Sequence, residues 1–365
     1  MPDFLPGLKL CRAFFEEAVR PILEADFPEL KYSAALVGSG SEVLGFDTEM
    51  STDHHWGPRA MLFLREQDHA RFAGALDAAL RRRLPVTFRS YSTSFPNDDP
   101  EGKEIGRPEL AAEGEVNHFV QILTVRGFVL SYLGFDVEAE LEAADWLTFP
   151  EQKLRTLVEG AVYHDGVGLG QLRARLAYYP HDVWLFQLAS AWARVGQQEH
   201  LMGRAGTVGD ELGSAVIGAG LVRDLMRLCF LIERRYAPYP KWFGSAFEQL
   251  GCAAALRRPL EAALAARRWD AREEHLAAAY EIVAGMQNAL GLTEALPETA
   301  RNFFGRPFKV IALHGFADAL AERITDPEVR RIAGRRLIGG VDLVSDRTEI
   351  LEDARWRPIL KRLYE

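Results

Sequence analysis

The chain has 365 residues, 48% of them apolar, which is enough for two ordinary hydrophobic cores and too much for one. Its formal charge of −9 weighs against non-specific nucleic-acid binding, because neutralising phosphates needs a net basic surface. The longest apolar runs fall short of the roughly eighteen residues a bilayer-spanning helix requires, so no membrane segment is expected. The start of the chain lacks the basic stretch, apolar run and small-residue cleavage site of a signal peptide. Three widely spaced cysteines, Cys11, Cys229 and Cys252, sit in apolar surroundings and read as buried, reduced thiols, which makes the cytoplasm the expected compartment.

In chain order, residues 8–24 carry apolar side chains at helical spacing. Residues 32–37 form a short apolar strand that stops at Gly38-Ser39-Gly40-Ser41. A second strand is expected at 59–64, a helix at 67–83 and a third strand at 84–92. The stretch 95–114, rich in Pro, Asp, Gly and Glu, is the most loop-like of the chain, and 117–125 resumes strand character. Strands alternating with helices predict an α/β domain over residues 1–136. From 137 to 365 the pattern is mostly helical, with helices expected at 154–164, 183–195, 215–236, 246–266, 272–290 and 329–338 and a strand near 307–313. The fold class expected is therefore α+β, a mixed sheet with helices followed by a mostly α-helical domain.

The densest chemistry lies where the first strand ends. A strand running into Gly-Ser and then a turn into a short helix offers backbone N–H groups and hydroxyls in a concavity that suits phosphate. Glycine serves there because phosphate must approach the backbone where a Cβ would intrude. Asp53, a dozen residues on and expected at the start of the next strand, could hold a divalent cation against those phosphates. A tight turn with Asp53 as a cap accounts for the same residues.

These residues also resemble a known signature. Gly40-Ser41, Gly45 and Ser51-Thr52-Asp53 look like the polymerase-β-like nucleotidyltransferase motif, which pairs Gly-Ser with a downstream Asp-x-Asp. The chain is similar, more closely, to a bacterial family of uncharacterised proteins with a nucleotidyltransferase-like N-terminal half. The likeness is carried by residues 38–45, by Asp53-His54-His55-Trp56-Gly57-Pro58-Arg59, by Thr124-Val125-Arg126-Gly127, by Ala144-Asp145-Trp146-Leu147 and by residues 234–242. Kanamycin-type nucleotidyltransferases look like more distant relatives with a similar two-part plan. The resemblance implies an NTP bound at Gly38, Ser39, Gly40 and Ser41, a metal ion at Asp53, and transfer of a nucleoside monophosphate to a hydroxyl of a small-molecule acceptor.

Two positions depart from the signature. Its second metal carboxylate would fall at position 55, which is His55, and the strand expected to carry a third offers Gln121. Hard Mg²⁺ prefers oxygen, whereas imidazole suits Zn²⁺ or Mn²⁺ better, so the cofactor expected is a divalent ion, Mg²⁺ or Mn²⁺ with Zn²⁺ as an alternative. If the strand began near Asp53, alternation would put Asp53 and His55 on one face as a metal or acid/base pair. Arg59 fits either a phosphate contact or a structural ion pair.

Further along, the basic corner of residues 234–242 offers Tyr239 and Lys241 as side chains for a nucleotide cleft, or a plain helix–helix corner. His181-Asp182 reads as the cap of the helix expected at 183. Asp210 and Glu211 read as helix-start acids that could alternatively supply a missing carboxylate, and Tyr163-His164-Asp165-Gly166 reads as a helix end. Three functions are consistent with this set: nucleotidyl transfer, a catalytically degenerate nucleotide-binding or regulatory module, and a metal-dependent phosphoester hydrolase. The acidic charge favours a cationic small acceptor, such as an aminosugar, over RNA.

Overall fold

A computed structural model describes residues 4–53, 56–95 and 115–365. It is an α+β protein: a mixed sheet with helices, followed by a largely helical region. The expected helix at the start is real but interrupted, with α1 (Gly7–Phe14) passing through a π turn, Phe15–Val19, into α2 (Arg20–Asp26). Pro21 explains the interruption, because it has no N–H for Glu17 and its ring would press on that carbonyl in a regular helix. Next come β1 (Tyr32–Leu36), a 3₁₀ turn over Glu49–Asp53, β2 (Arg59–Leu64) and α3 (Glu66–Arg83). The expected strand at 84–92 is a two-rung hairpin, β3 (Thr87–Phe88) and β4 (Tyr91–Ser92), turned by Arg89 and Ser90 at positive φ. The loop-like stretch expected at 95–114 lies, beyond Phe95, outside the described residues. After it come β5 (Phe119–Thr124) and α4 (Val125–Leu133), whose start is capped by the Thr124 hydroxyl accepting from Gly127 N–H.

The chain then departs from the sequence reading. It passes through α5 (Ala143–Thr148) and α6 (Glu151–Glu159), and the segment expected to continue as helix to 164 becomes β6 (Ala161–Asp165) and α7 (Leu169–Arg175). Strand β6 pairs antiparallel with β1, completing a sheet of order β5-β2-β1-β6 in which β2 and β5 are parallel. The first compact unit is accordingly Met1–Glu140 with Lys153–Ala177, and the second is Leu141–Gln152 with Tyr178–Glu365. Residues 141–152 thus interrupt the first unit in sequence, and the chain returns to it to add β6 to the sheet.

Gly160 is the residue that makes this return possible. A Cβ built on it would stand 2.2 Å from the Leu36 carbonyl oxygen and 3.1 Å from Val37 Cα, both backbone atoms at the end of β1. Gly160→Ala is therefore expected to lower the unfolding free energy by about 2–3 kcal/mol, the upper range for overpacking against atoms that cannot rotate away. Chemical denaturation of the variant measures this, and an unchanged midpoint would remove the close approach as a constraint.

Alternation sorts the sheet faces. Ala34, Ala60, Leu62, Leu64 and Val120 pack with Leu10, Phe14, Phe15 and Ile22 of the first helical stretch and Leu76 and Leu80 of α3 into one core. On the other face Phe128 of α4 meets Phe63 edge-on, with ring centroids 5.5 Å apart.

The second unit is built on α8 (His181–Thr207), α9 (Glu211–Ile232), α10 (Phe243–Phe247), α11 (Ala253–Ala265) and α12 (Trp269–Ala289). The hairpin β7 (Arg301–Phe303) and β8 (Arg306–Val310) follows, then α13 (Phe316–Ala321), α14 (Pro327–Arg335), α15 (Val341–Val344), α16 (Thr348–Glu352) and α17 (Arg357–Lys361). Trp192 and Phe316 stack at 4.5 Å in its interior, and Leu185, Leu225, Leu256 and Leu276 are fully buried. No helix among the described residues is long and apolar enough to cross a membrane. All three cysteines are buried and unbridged, and burial pushes the Cys11 thiol up to about 12.

Candidate functional site

Strand β1 delivers the chain to the Gly38-Ser39-Gly40-Ser41 turn. Gly38 stands at φ +82° and donates its N–H to the Thr156 carbonyl of α6 at 3.1 Å. Gly40 stands at φ +147°, and a Cβ there would meet the Arg59 guanidinium at 2.5 Å and the Glu42 carboxylate at 2.8 Å. The short helix expected after the turn is absent; Gly45 N–H to Glu42 O and Phe46 N–H to Ser41 O close a single compact turn. The N–H groups of Ser39, Gly40, Ser41 and Glu42, and the hydroxyls of Ser39 and Ser41, have no acceptor among the described residues. Consecutive free amides around glycine make an anion-binding concavity of the kind called a nest.

Arg59, the first residue of β2, lies across this turn. Its Nη2 donates to Ser39 O at 3.0 Å and to the buried Glu42 carboxylate, and its guanidinium sits 6.0 Å from the Phe119 ring centroid. The structural ion pair weighed for Arg59 is thus present. The Nε–H of Arg59 is buried without an acceptor among the described residues. A neighbouring carboxylate, Asp47, accepts from Gly7 N–H at 2.6 Å and from the Trp56 indole at 3.0 Å, which fixes the chain leading away from the turn onto the start of α1.

Asp53 does not begin a strand. It ends the 3₁₀ turn Glu49–Asp53, and Gly57, at φ +154°, with Pro58 delays the strand to Arg59. Proline offers no N–H to a ladder, which is why pairing starts after it. The alternation that would have set Asp53 and His55 on one strand face therefore does not apply; His55 itself lies outside the described residues. Gln121 pairs in register with Met61 of β2 and is exposed, two residues from Phe119, so β5 brings an amide to this part of the sheet and no carboxylate. Among the described residues no group of three His, Cys, Asp or Glu side chains could hold a metal ion.

The remaining expected residues belong to the second unit. Tyr239 precedes, and Lys241 lies within, the 3₁₀ turn Pro240–Trp242; Lys241 is exposed, its Nζ 4.8 Å from the Trp242 ring centroid. Asp182 does not cap α8, which starts at His181. It accepts from Thr325 N–H at 2.6 Å and from the Thr325 hydroxyl at 3.0 Å, and so pins the loop before α14. Asp210 is the cap of α9, accepting from Gly213 N–H at 2.7 Å, which leaves it committed to the helix start. Sequence reasoning passed over Glu42, Asp47 and Thr156. Glu42 was legible as an acid directly after the Gly-Ser run, whereas Thr156 contributes a backbone carbonyl, which no side-chain pattern announces.

The chain is similar to the family described as Domain of unknown function (DUF4037) over residues 146–243. No curated protein matches it significantly. Among solved structures it is similar to the nucleotidyltransferase-like protein from Exiguobacterium sibiricum 255-15, at 11% identity over 76% of this chain and 77% of that one, with a TM-score of 0.33. At that level of similarity nothing about chemistry follows.

Proposed function

We propose that this protein binds a nucleoside triphosphate at the 38–41 turn and transfers its nucleoside monophosphate to a hydroxyl of a small acceptor. The observation that supports this reading is the set of four consecutive backbone N–H groups, Ser39 to Glu42, left without acceptors beside two free serine hydroxyls. Consecutive main-chain donors open at a turn can be satisfied several at once by phosphate oxygens. Arg59 adds a fixed positive charge whose Nε–H is unspent. A phosphate seated on the turn would share that guanidinium with Glu42.

In the transfer step the acceptor oxygen forms a bond to the α-phosphorus, the α–β bridging bond breaks and pyrophosphate leaves. The acceptor proton passes to Asp53 or His55 acting as general base. A single divalent ion at Asp53 and His55 would neutralise triphosphate charge; a two-ion clamp is not proposed, because Gln121 brings an amide where the signature has a carboxylate.

Calorimetric titration of ATP, GTP, CTP and UTP with Mg²⁺, Mn²⁺ or Zn²⁺ tests the reading. Metal-dependent binding that weakens at least about tenfold in Asp53→Ala is the expected outcome, since a charge-assisted contact is worth that much. Absence of binding for every pair would sink it. A second reading, binding without transfer, is favoured by Gln121 of β5 standing where the signature has a carboxylate; it predicts the same titration but no pyrophosphate release with any acceptor.

A further inference from the structure

Within the helical unit, a polar cavity of about 120 Å³ opens between α8, α9, α15 and the turn after α15. Three arginines and three aspartates line it: Arg194, Arg223, Arg227, Asp224, Asp342 and Asp346. Two oppositely charged pairs are already made. Arg194 Nε donates to the buried Asp224 at 2.9 Å, with its Nη1 on the Leu343 carbonyl at 3.1 Å. Arg223 donates to Asp346 at 3.0 Å on the solvent side.

One cation and one anion remain. Arg227 is half-buried and touches the Phe243 ring face, 5.6 Å from the centroid, but has no ion-pair or hydrogen-bond partner among the described residues. Asp342 accepts from the Glu151 N–H at 2.9 Å and from its own backbone N–H, and has no cation in ion-pair contact among the described residues. Burial pushes the Asp342 carboxyl up, and the field of Arg227 only partly opposes this. A positive and a negative group thus line one small polar cavity without meeting each other. A bare anion would satisfy Arg227 and be repelled by Asp342; a bare cation would suffer the reverse. A molecule carrying both charges a few bonds apart satisfies both.

We propose that this cavity binds a small zwitterion of the α-amino-acid type, with its carboxylate on Arg227 and its ammonium on Asp342. A guanidinium matches a carboxylate in two parallel hydrogen bonds, and an ammonium matches a carboxylate with a spare oxygen. The inference stands on the second unit alone and does not depend on the nucleotide reading.

Titration calorimetry on the full chain with L-serine and glycine tests it, using acetate and methylammonium as the two half-ligands. One zwitterion per chain is expected, with either half-ligand at least about tenfold weaker. Arg227→Gln and Asp342→Asn should each lower zwitterion affinity at least about tenfold, because each removes one charged contact. Asparagine keeps an acceptor for the Glu151 N–H, and Arg227→Lys keeps the charge while losing the fork, so at least one variant per charge retains its structural contact. Circular dichroism confirms that each is folded. Absence of saturable binding by both amino acids would overturn the proposal, as would acetate binding as tightly as serine or affinity unchanged in the folded variants.

Discussion

Replacing Asp145 with alanine is expected to destabilise the protein by about 3–5 kcal/mol, the cost of leaving a buried charge without its partner. Asp145 lies in α5 and is almost wholly enclosed, as is Arg357 of α17, whose Nη2 it binds. Arg357 also donates its Nε to the Thr148 hydroxyl at 3.1 Å and lies 4.5 Å from the Phe149 ring centroid, and Lys361 reaches Asp145 at 2.5 Å. Burial pulls the Arg357 guanidinium down to about 10 and the Glu142 charge opposes this, while Asp145 binds the guanidinium directly. Equilibrium urea unfolding reads the effect. A loss below about 1 kcal/mol would mean that the pair behaves like an exposed one. The double variant Asp145→Leu with Arg357→Met should recover most of the loss, because two apolar groups leave no orphaned charge.

The second large effect is a pH dependence carried by Glu199 of α8. Burial raises its carboxyl to about 7, although it accepts from Ile311 N–H at 2.8 Å and Ala312 N–H at 3.2 Å. Between an unfolded value near 4.5 and the folded value near 7, the native protein holds a proton that the unfolded chain has released. Its contribution to stability is therefore fully present below about pH 4.5, falls as pH rises towards 7, and changes no further above that. Glu199→Gln is neutral throughout, so the difference in unfolding free energy between wild type and variant should shift by about 3 kcal/mol across that window. Unfolding curves at pH 5 and pH 8 supply the measurement, and parallel profiles for the two proteins would refute the assignment.

Much of the first unit was legible because its strands are short apolar runs bounded by turn residues: β1 ends at Leu36, just before the Gly38 turn, and β2 and β5 fall within a residue or two of expectation. The long helices α8, α9 and α12 announced themselves by period. Strand β6 did not, because Ala161-Val162-Tyr163 follows α6 after one glycine and its apolar residues suit either period. Gly160 was the available signal, and only the close pass of the β1 backbone gives it meaning. In the site, the Gly-Ser turn and Arg59 were readable as chemistry, but the Glu42 partner was not, since the two are 17 residues apart and joined only by folding. Asp53 was expected at a strand start, but it ends a 3₁₀ turn and Pro58 leaves pairing to begin at Arg59.

The excursion of residues 141–152 out of the first unit has a consequence for the order in which the protein can assemble on the ribosome. When residue 140 has been made, β1 still lacks its β6 neighbour, and Ala34, Ala35 and Leu36 sit on an open strand edge. Residue 165 must be synthesised before that edge closes, a delay of roughly 1–5 s at ordinary elongation rates. The second unit waits longer, since Asp145 is made early and Arg357 arrives 212 residues later. Nascent chains halted anywhere between these points expose an unpaired strand edge or an unmatched buried carboxylate, and translation speed through 141–165 sets how long chaperones must cover the first of them.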